Sequence, residues 1–219
     1  MKKVISYILW IAVVLLAIKL VAIAIAYFNF ETDYEFLKQK QDLIHNKTWL
    51  VAFYLHLLGG GVAVLTGTAL FFTRWIKPSS KLHKFMGKIY FISIMFVGGP
   101  TGLYLAFYAE SGYLATIGFI GMSAAWMVTT FVSVAKITKG DVKGHYKWTI
   151  RSYATTLAGV TLRIMTGLGI EYLHWDYDTT FLITAYVPWL MNLGFAEIVI
   201  LLKSKSIDLV STKYAINKQ

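Results

Sequence analysis

Cysteine is absent from this chain of 219 residues, which removes disulfides and thiolate metal sites together. Proline occurs three times, and acidic residues number 11 against 21 lysines and arginines. No low-complexity linker interrupts the sequence, so it reads as one domain. Charge of either sign is scarce: 15% of residues are charged, 57% are hydrophobic, and mean hydropathy is +0.60. A soluble domain of this length needs more polar surface to cover its core, so the composition belongs to the membrane class.

Long apolar runs are what the chain has in quantity. Six stretches suit a hydrocarbon core about 30 Å thick when wound as helices. They run over Val4–Tyr27, Trp49–Phe72, Lys88–Tyr108, Tyr113–Ala135, Trp148–Ile170 and Phe181–Leu202. The expected architecture is an all-α membrane protein, a six-transmembrane-helix bundle. A signal peptide cleaved after Ala26 competes for the first run, but that run exceeds a usual signal core and carries Lys19, which favours an uncleaved span.

The surplus of +10 formal charge would suggest nucleic acid if it were spread over one surface. It is not. The amino terminus, the loop Arg74–Lys88, the loop Lys136–Arg151 and the tail from Lys203 hold 16 basic and two acidic residues. The segments Phe28–Thr48, Ala109–Gly112 and Glu171–Thr180 hold three basic and eight acidic ones. Lysine and arginine in short loops mark the cytoplasmic side, which places both termini there. The basic loops then face anionic lipid headgroups, and no nucleic-acid partner is needed. Within the outer segment Phe28–Thr48, the spacing of Phe36, Leu43 and Ile44 predicts a short interfacial helix, with a solvated connector as the alternative.

Polar residues inside the spans are the candidates for function. From His145 to Arg163 is eighteen residues, about five turns, so the two share one helix face about 27 Å apart. Thr149, Ser152, Thr156 and Gly159 fall on that face. Ile150, Ala154, Leu157, Ala158, Ile164, Met165 and Leu168 form the expected lipid-facing back. Arg163 is thereby expected to point inward. The second span has a similar stripe of His56, Gly60, Ala63 and Gly67, whose small residues suit close helix packing.

His56, Arg163 and Lys19 all fall about 10 Å below the outer surface at helical rise. A cation there costs on the order of 3 kcal/mol, so an outer ligand cavity is one reading and outward snorkelling of Lys19 and Arg163 is the other. On the inner side His83, His145 and Arg151 form a second candidate cluster, with His83 and His145 suited to haem iron, a quinone headgroup or a proton entry path. Contact with lipid phosphate is the plainer reading. Gly98–Gly102 ("GGPTG") and Pro188 break the regularity of the third and sixth spans, where they either line a cavity or shape packing. Outside, Glu171, His174, Asp176 and Asp178 offer metal ligands at close spacing. Their aromatic neighbours Tyr172, Trp175 and Tyr177 equally make an interface belt.

A faint internal repeat pairs spans two and three with spans four and five. Each hairpin turns through a basic loop and begins its second helix with a histidine, His83 or His145. The stretches "LHKFMGKIY" at Leu82–Tyr90 and "HYKWTIRSYATTLAGVTLR" at His145–Arg163 resemble the signatures of a bacterial family of integral membrane proteins, domain of unknown function 2306. Lys84 stands where an arginine is frequent in that family, and Thr149 where methionine is. The resemblance implies a bacterial inner membrane and singles out His56, His83, His145, Arg151 and Arg163, but implies no reaction.

Two function classes remain. One is a redox protein binding haem b or quinone, with histidines for the group and cations for its acidic substituents. A second haem is disfavoured, because no helix carries two histidines about fourteen residues apart. The other is a small transporter for an anionic or protonatable solute, for which six spans would serve as an oligomer. A non-catalytic assembly factor is neither supported nor opposed. The threading has a direct check. A fluorescent protein fused to the C-terminus is expected to be bright and an alkaline phosphatase fusion silent; the opposite pair would reverse the assigned sides.

Overall fold

A computed structural model describes residues 2–71, 80–204 and 207. The end of the second expected span at Phe72, the basic residues Arg74 and Lys77 of the first basic loop, and the tail beyond Ile207 lie outside the described residues. Among the described residues every regular element is helical. The backbone gathers into two compact units, residues 1–105 and 106–219.

In the first unit α1 (Lys2–Ala26) and α2 (Lys47–Phe71) pack together, and α2 also packs on the third span. That span opens with α3 (Lys81–Ile92), passes through a π-helix (Ser93–Gly98) and ends as α4 (Gly99–Ala106). Ser80 caps α3 by accepting from the His83 N–H. This cap starts the helix about two turns before the apolar run does. The π-helix adjoins Pro100, whose missing N–H disturbs the ladder.

Here α2 comes within backbone contact of the third span. A Cβ on Gly59 would sit 2.6 Å from the Gly98 nitrogen, so only glycine fits. Gly60 and Gly61 meet nothing within 4 Å.

The connector between α1 and α2 is helical, as the spacing predicts, but it is a 3₁₀-helix, Glu35–Lys40. Its period of three buries Leu37 and Lys40 rather than the α-spaced set Phe36, Leu43 and Ile44. Phe36 instead stacks on Phe53 at 6.1 Å, and Phe53 on Trp49 at 5.6 Å. The Lys40 ammonium lies 5.9 Å from the centre of the Phe36 ring.

The second unit is built on α5 (Gly112–Thr138), α6 (Val142–Thr156), α7 (Ala158–Gly167) and α8 (Tyr177–Leu202), with a π-helix over Leu168–Tyr172. Asp141 and Asp176 cap α6 and α8 through the N–H groups of Gly144 and Thr179. α6 packs against both α5 and α8, while α7 packs on α8. Gly118 admits the α8 backbone: a Cβ there would lie 2.8 Å from that of Ala185. Pro188 lies inside α8, where it removes one backbone donor, and the Trp189 indole donates to the Ala185 carbonyl at 2.8 Å.

Among the described residues, five helical segments are long and apolar enough to cross a membrane: Trp10–Asn29, Lys47–Phe71, Lys81–Ala106, Gly112–Thr138 and Tyr177–Leu202. The remaining expected span, Trp148–Ile170, is helical but divides at Leu157. Its back is not lipid-facing throughout, because α8 covers it: Ile150 is 9% exposed and Ala158 0%. Only Ile164 and Leu168 of the expected lipid face stand exposed as large side chains.

The glycine contacts give a matched pair of variants. Gly59→Ala is expected to cost about 1–3 kcal/mol through overpacking against Gly98, whereas Gly61→Ala, with open space around it, is expected to be tolerated. Thermal unfolding in detergent measures both.

Candidate functional site

His56 stands half-buried in the second span, one turn before Gly59. Its Nδ1 lies 2.9 Å from the Gly98 carbonyl oxygen, inside the π-helical stretch of the third span. A carbonyl only accepts, so Nδ1 carries the hydrogen and the neutral ring keeps its lone pair on Nε2. The Thr101 hydroxyl approaches the same carbonyl at 3.2 Å and donates more closely to Val97 at 2.6 Å. The "GGPTG" stretch thus holds the histidine in one tautomer and one orientation.

His145, before the expected fifth span, is held the same way. Its Nδ1 lies 2.9 Å from the Ser133 carbonyl and 3.1 Å from the Ser133 hydroxyl. Above it α5 and α6 are joined by paired hydroxyls. Ser133 meets Thr149 at 2.7 Å, Thr130 meets Ser152 at 2.7 Å, Thr129 meets Thr155 at 3.2 Å, and the Trp126 indole donates to Thr156 at 2.9 Å. Thr149, Thr130 and Thr156 donate in turn to backbone carbonyls, of His145, Trp126 and Ser152 respectively. With those protons committed, the hydroxyls form the rungs of a zipper between α5 and α6.

Arg151 forms a two-pronged pair with Glu197 of α8, Nε to Oε1 at 2.6 Å and Nη2 to Oε2 at 2.8 Å. Its guanidinium lies 4.7 Å from the centre of the Trp148 ring. Pairing neutralises two charges that would each cost on the order of 3 kcal/mol inside a span. The same arrangement commits Arg151 to α8. In the α5–α6 turn, Lys136 pairs with Asp141 at 3.1 Å. The N–H of Gly144 and then the Lys136 ammonium hold the Asp141 carboxyl below its ordinary value.

Arg163 is exposed, not inward. Between Thr156 and Arg163 the helix divides at Leu157. Arg163 lies within electrostatic reach of the Tyr177 hydroxyl, as do Glu110 and Asp178. This is the outward snorkelling that a long cationic side chain permits. Lys19 is exposed as well. His56, His83 and Lys19 belong to the first unit, and Arg163, His145 and Arg151 to the second.

Between α7 and the first turn of α8, Glu171, His174, Asp176 and Asp178 are all exposed. Asp176 is the α8 cap, and Asp178 accepts from the Ser111 hydroxyl at 3.0 Å. Among the described residues, no group of three or more His, Asp and Glu side chains is placed to hold a metal ion.

Sequence reasoning did not pick out Gly98 as the partner of His56, Glu197 as the partner of Arg151, or the α5 side of the zipper. The last was accessible: Ser123, Trp126, Thr129, Thr130 and Ser133 recur at three- and four-residue spacing on a span that otherwise reads as apolar.

A family described as "Predicted membrane protein (DUF2306)" matches residues 53–200, more than half of the chain. The chain belongs to this family. The DUF2306 match contains His56, His83, His145, Arg151, Arg163 and Glu197, and leaves Lys19 and Lys40 outside it. It supports a multi-pass membrane protein. No curated protein and no solved structure matches the chain.

The Asp141 cap carries a pH signature. Its carboxyl pKa is depressed in the folded state, so the charged cap stabilises fully above the ordinary value of about 3.9. That contribution is lost as pH falls through the folded value. The difference in melting temperature between the protein and Asp141→Asn is therefore expected to hold at neutral pH and shrink on acidification. A difference that stayed constant would mean the charge is not its source.

Proposed function

We propose that this DUF2306 chain crosses a bacterial inner membrane six times with both termini cytoplasmic, the divided α6–α7 segment being the fifth crossing. Within it we assign a site for a redox group of the b-type haem or quinone class. The observation that carries this reading is the His56 Nδ1–Gly98 carbonyl bond of 2.9 Å. Imidazoles that ligate a metal or exchange a proton with a ligand are oriented this way, with one ring nitrogen fixed to a carbonyl and the lone pair on the other.

Gly60 and Gly61, which meet nothing within 4 Å, leave a shallow surface one turn from the ring on which a flat group could lie. His145 has the same tautomer for the same reason and is the inner candidate, alongside His83. When bound, haem would supply one-electron chemistry and a quinone two-electron, proton-coupled chemistry; the chain supplies the oriented imidazole.

A transporter for an anionic or protonatable solute is the second reading. It is favoured by the interruptions at Ser93–Gly98, Leu157 and Pro188, since broken helices are where transporters expose backbone groups to solutes. The two readings part on one measurement. A reduced-minus-oxidised visible spectrum of purified protein, with quinone extraction alongside, is expected to show a bound group, reduced several-fold in His56→Ala. A flat spectrum with no extracted quinone would end the redox reading.

A further inference from the structure

The α6–α7 segment carries two incompatible instructions. Its sequence places His145, Ser152, Thr156 and Arg163 on one face of a continuous helix. In the structure the first three follow that rule: Ser152 and Thr156 are buried, and His145 is bonded to α5. Arg163, on the far side of Leu157, does not. Among the described residues, the hydrogen bonds from this segment's side chains to α5 run from His145 to Thr156 and stop at the division.

What occupies the division is Asn192 of α8. Its Nδ2 donates to the Ala154 carbonyl at 3.0 Å, and its Oδ1 accepts from the Thr161 hydroxyl at 3.2 Å. In a continuous helix the Ala154 carbonyl would accept from the Ala158 N–H. A side chain inserted into that ladder is a recognised cause of a kink. The Asn192 amide therefore competes with α-helical continuity, and the Thr161 bond fixes which way the amide faces. The piece beyond is poorly disposed to resist. α7 is ten residues long with glycine at 159 and 167, and Gly167 lies in open space.

We infer that Asn192 is a positioning residue for Arg163: its clasp on Ala154 and Thr161 holds α6–α7 divided and Arg163 outward, and its release lets the segment straighten and turns Arg163 onto the Ser152–Thr156 face. The inference stands apart from the redox assignment, since it concerns one helix and its latch. It gives the chain two positions for a cation, exchanged by trading two side-chain bonds for one backbone bond.

The absence of cysteine makes the test clean. Spin labels on Lys143→Cys and Ile164→Cys flank the division, 21 positions apart, which is about 32 Å along an unbroken helix. With Asn192 present, a single shorter distance is expected. Asn192→Ala is expected to add a population near the unbroken value, and Thr161→Val a smaller one. In a separate single-cysteine chain, Arg163→Cys is expected to lose labelling by an impermeant thiol reagent several-fold when Asn192→Ala is added. If Asn192→Ala does not fold, Thr161→Val decides. An unchanged distance in the folded variants, or undiminished labelling, would overturn the latch.

Discussion

A polar group placed in hydrocarbon must find its partner within the protein, because no water is there to replace it. The second unit shows how far that requirement organises a helix pair. The hydroxyls of Ser133, Thr130 and Thr129 and the Trp126 indole each meet a partner across the α5–α6 contact. Individually such bonds contribute about 0.6–2 kcal/mol. Their regular spacing along the contact fixes rotation and register together, since sliding α6 by one residue would break every rung at once. The capped turn below, with Asp141 on Gly144 and Lys136, sets the starting point for that register.

The same requirement explains the irregular backbone. Where a span departs from α-helical bonding, a side chain from the neighbouring span supplies a donor. His56 donates to Gly98 in the π-helical stretch and Asn192 to Ala154 at the division, while beside Pro188 the donor comes from the same helix, Trp189 to Ala185. These donors differ in what they commit. The indole can only donate. The amide donates and accepts, so it joins two points. The imidazole donates from one ring nitrogen, which fixes its tautomer and its orientation.

Much of this was legible in the chain itself. Hydrophobic run length gave the helices, and charge asymmetry among the loops gave the expected threading. Two kinds of feature were not legible. Periodicity assumes an unbroken helix, so extrapolating eighteen residues from His145 misplaced Arg163 once Leu157 divided the segment. In the outer connector the α-period selected Phe36, Leu43 and Ile44, whereas a 3₁₀-helix buries Leu37 and Lys40. Partner identity was also hidden: that Glu197 reaches Arg151 depends on how α6 and α8 pack, which one-dimensional spacing does not encode.

The connectors carry one more asymmetry. Phe30, Glu35, Ser111 and His174 adopt left-handed backbone angles without being glycine. They lie in the links between α1 and α2, α4 and α5, and α7 and α8. The described turn between α5 and α6 uses Gly140 instead. Each non-glycine residue of this kind costs about 1–2 kcal/mol, held in place by the packing around it. Strain is thus stored in the three links that carry the acidic residues and is absent from the basic α5–α6 turn. Heating would therefore loosen the molecule unevenly, the acidic links opening while the α5–α6 turn stayed closed.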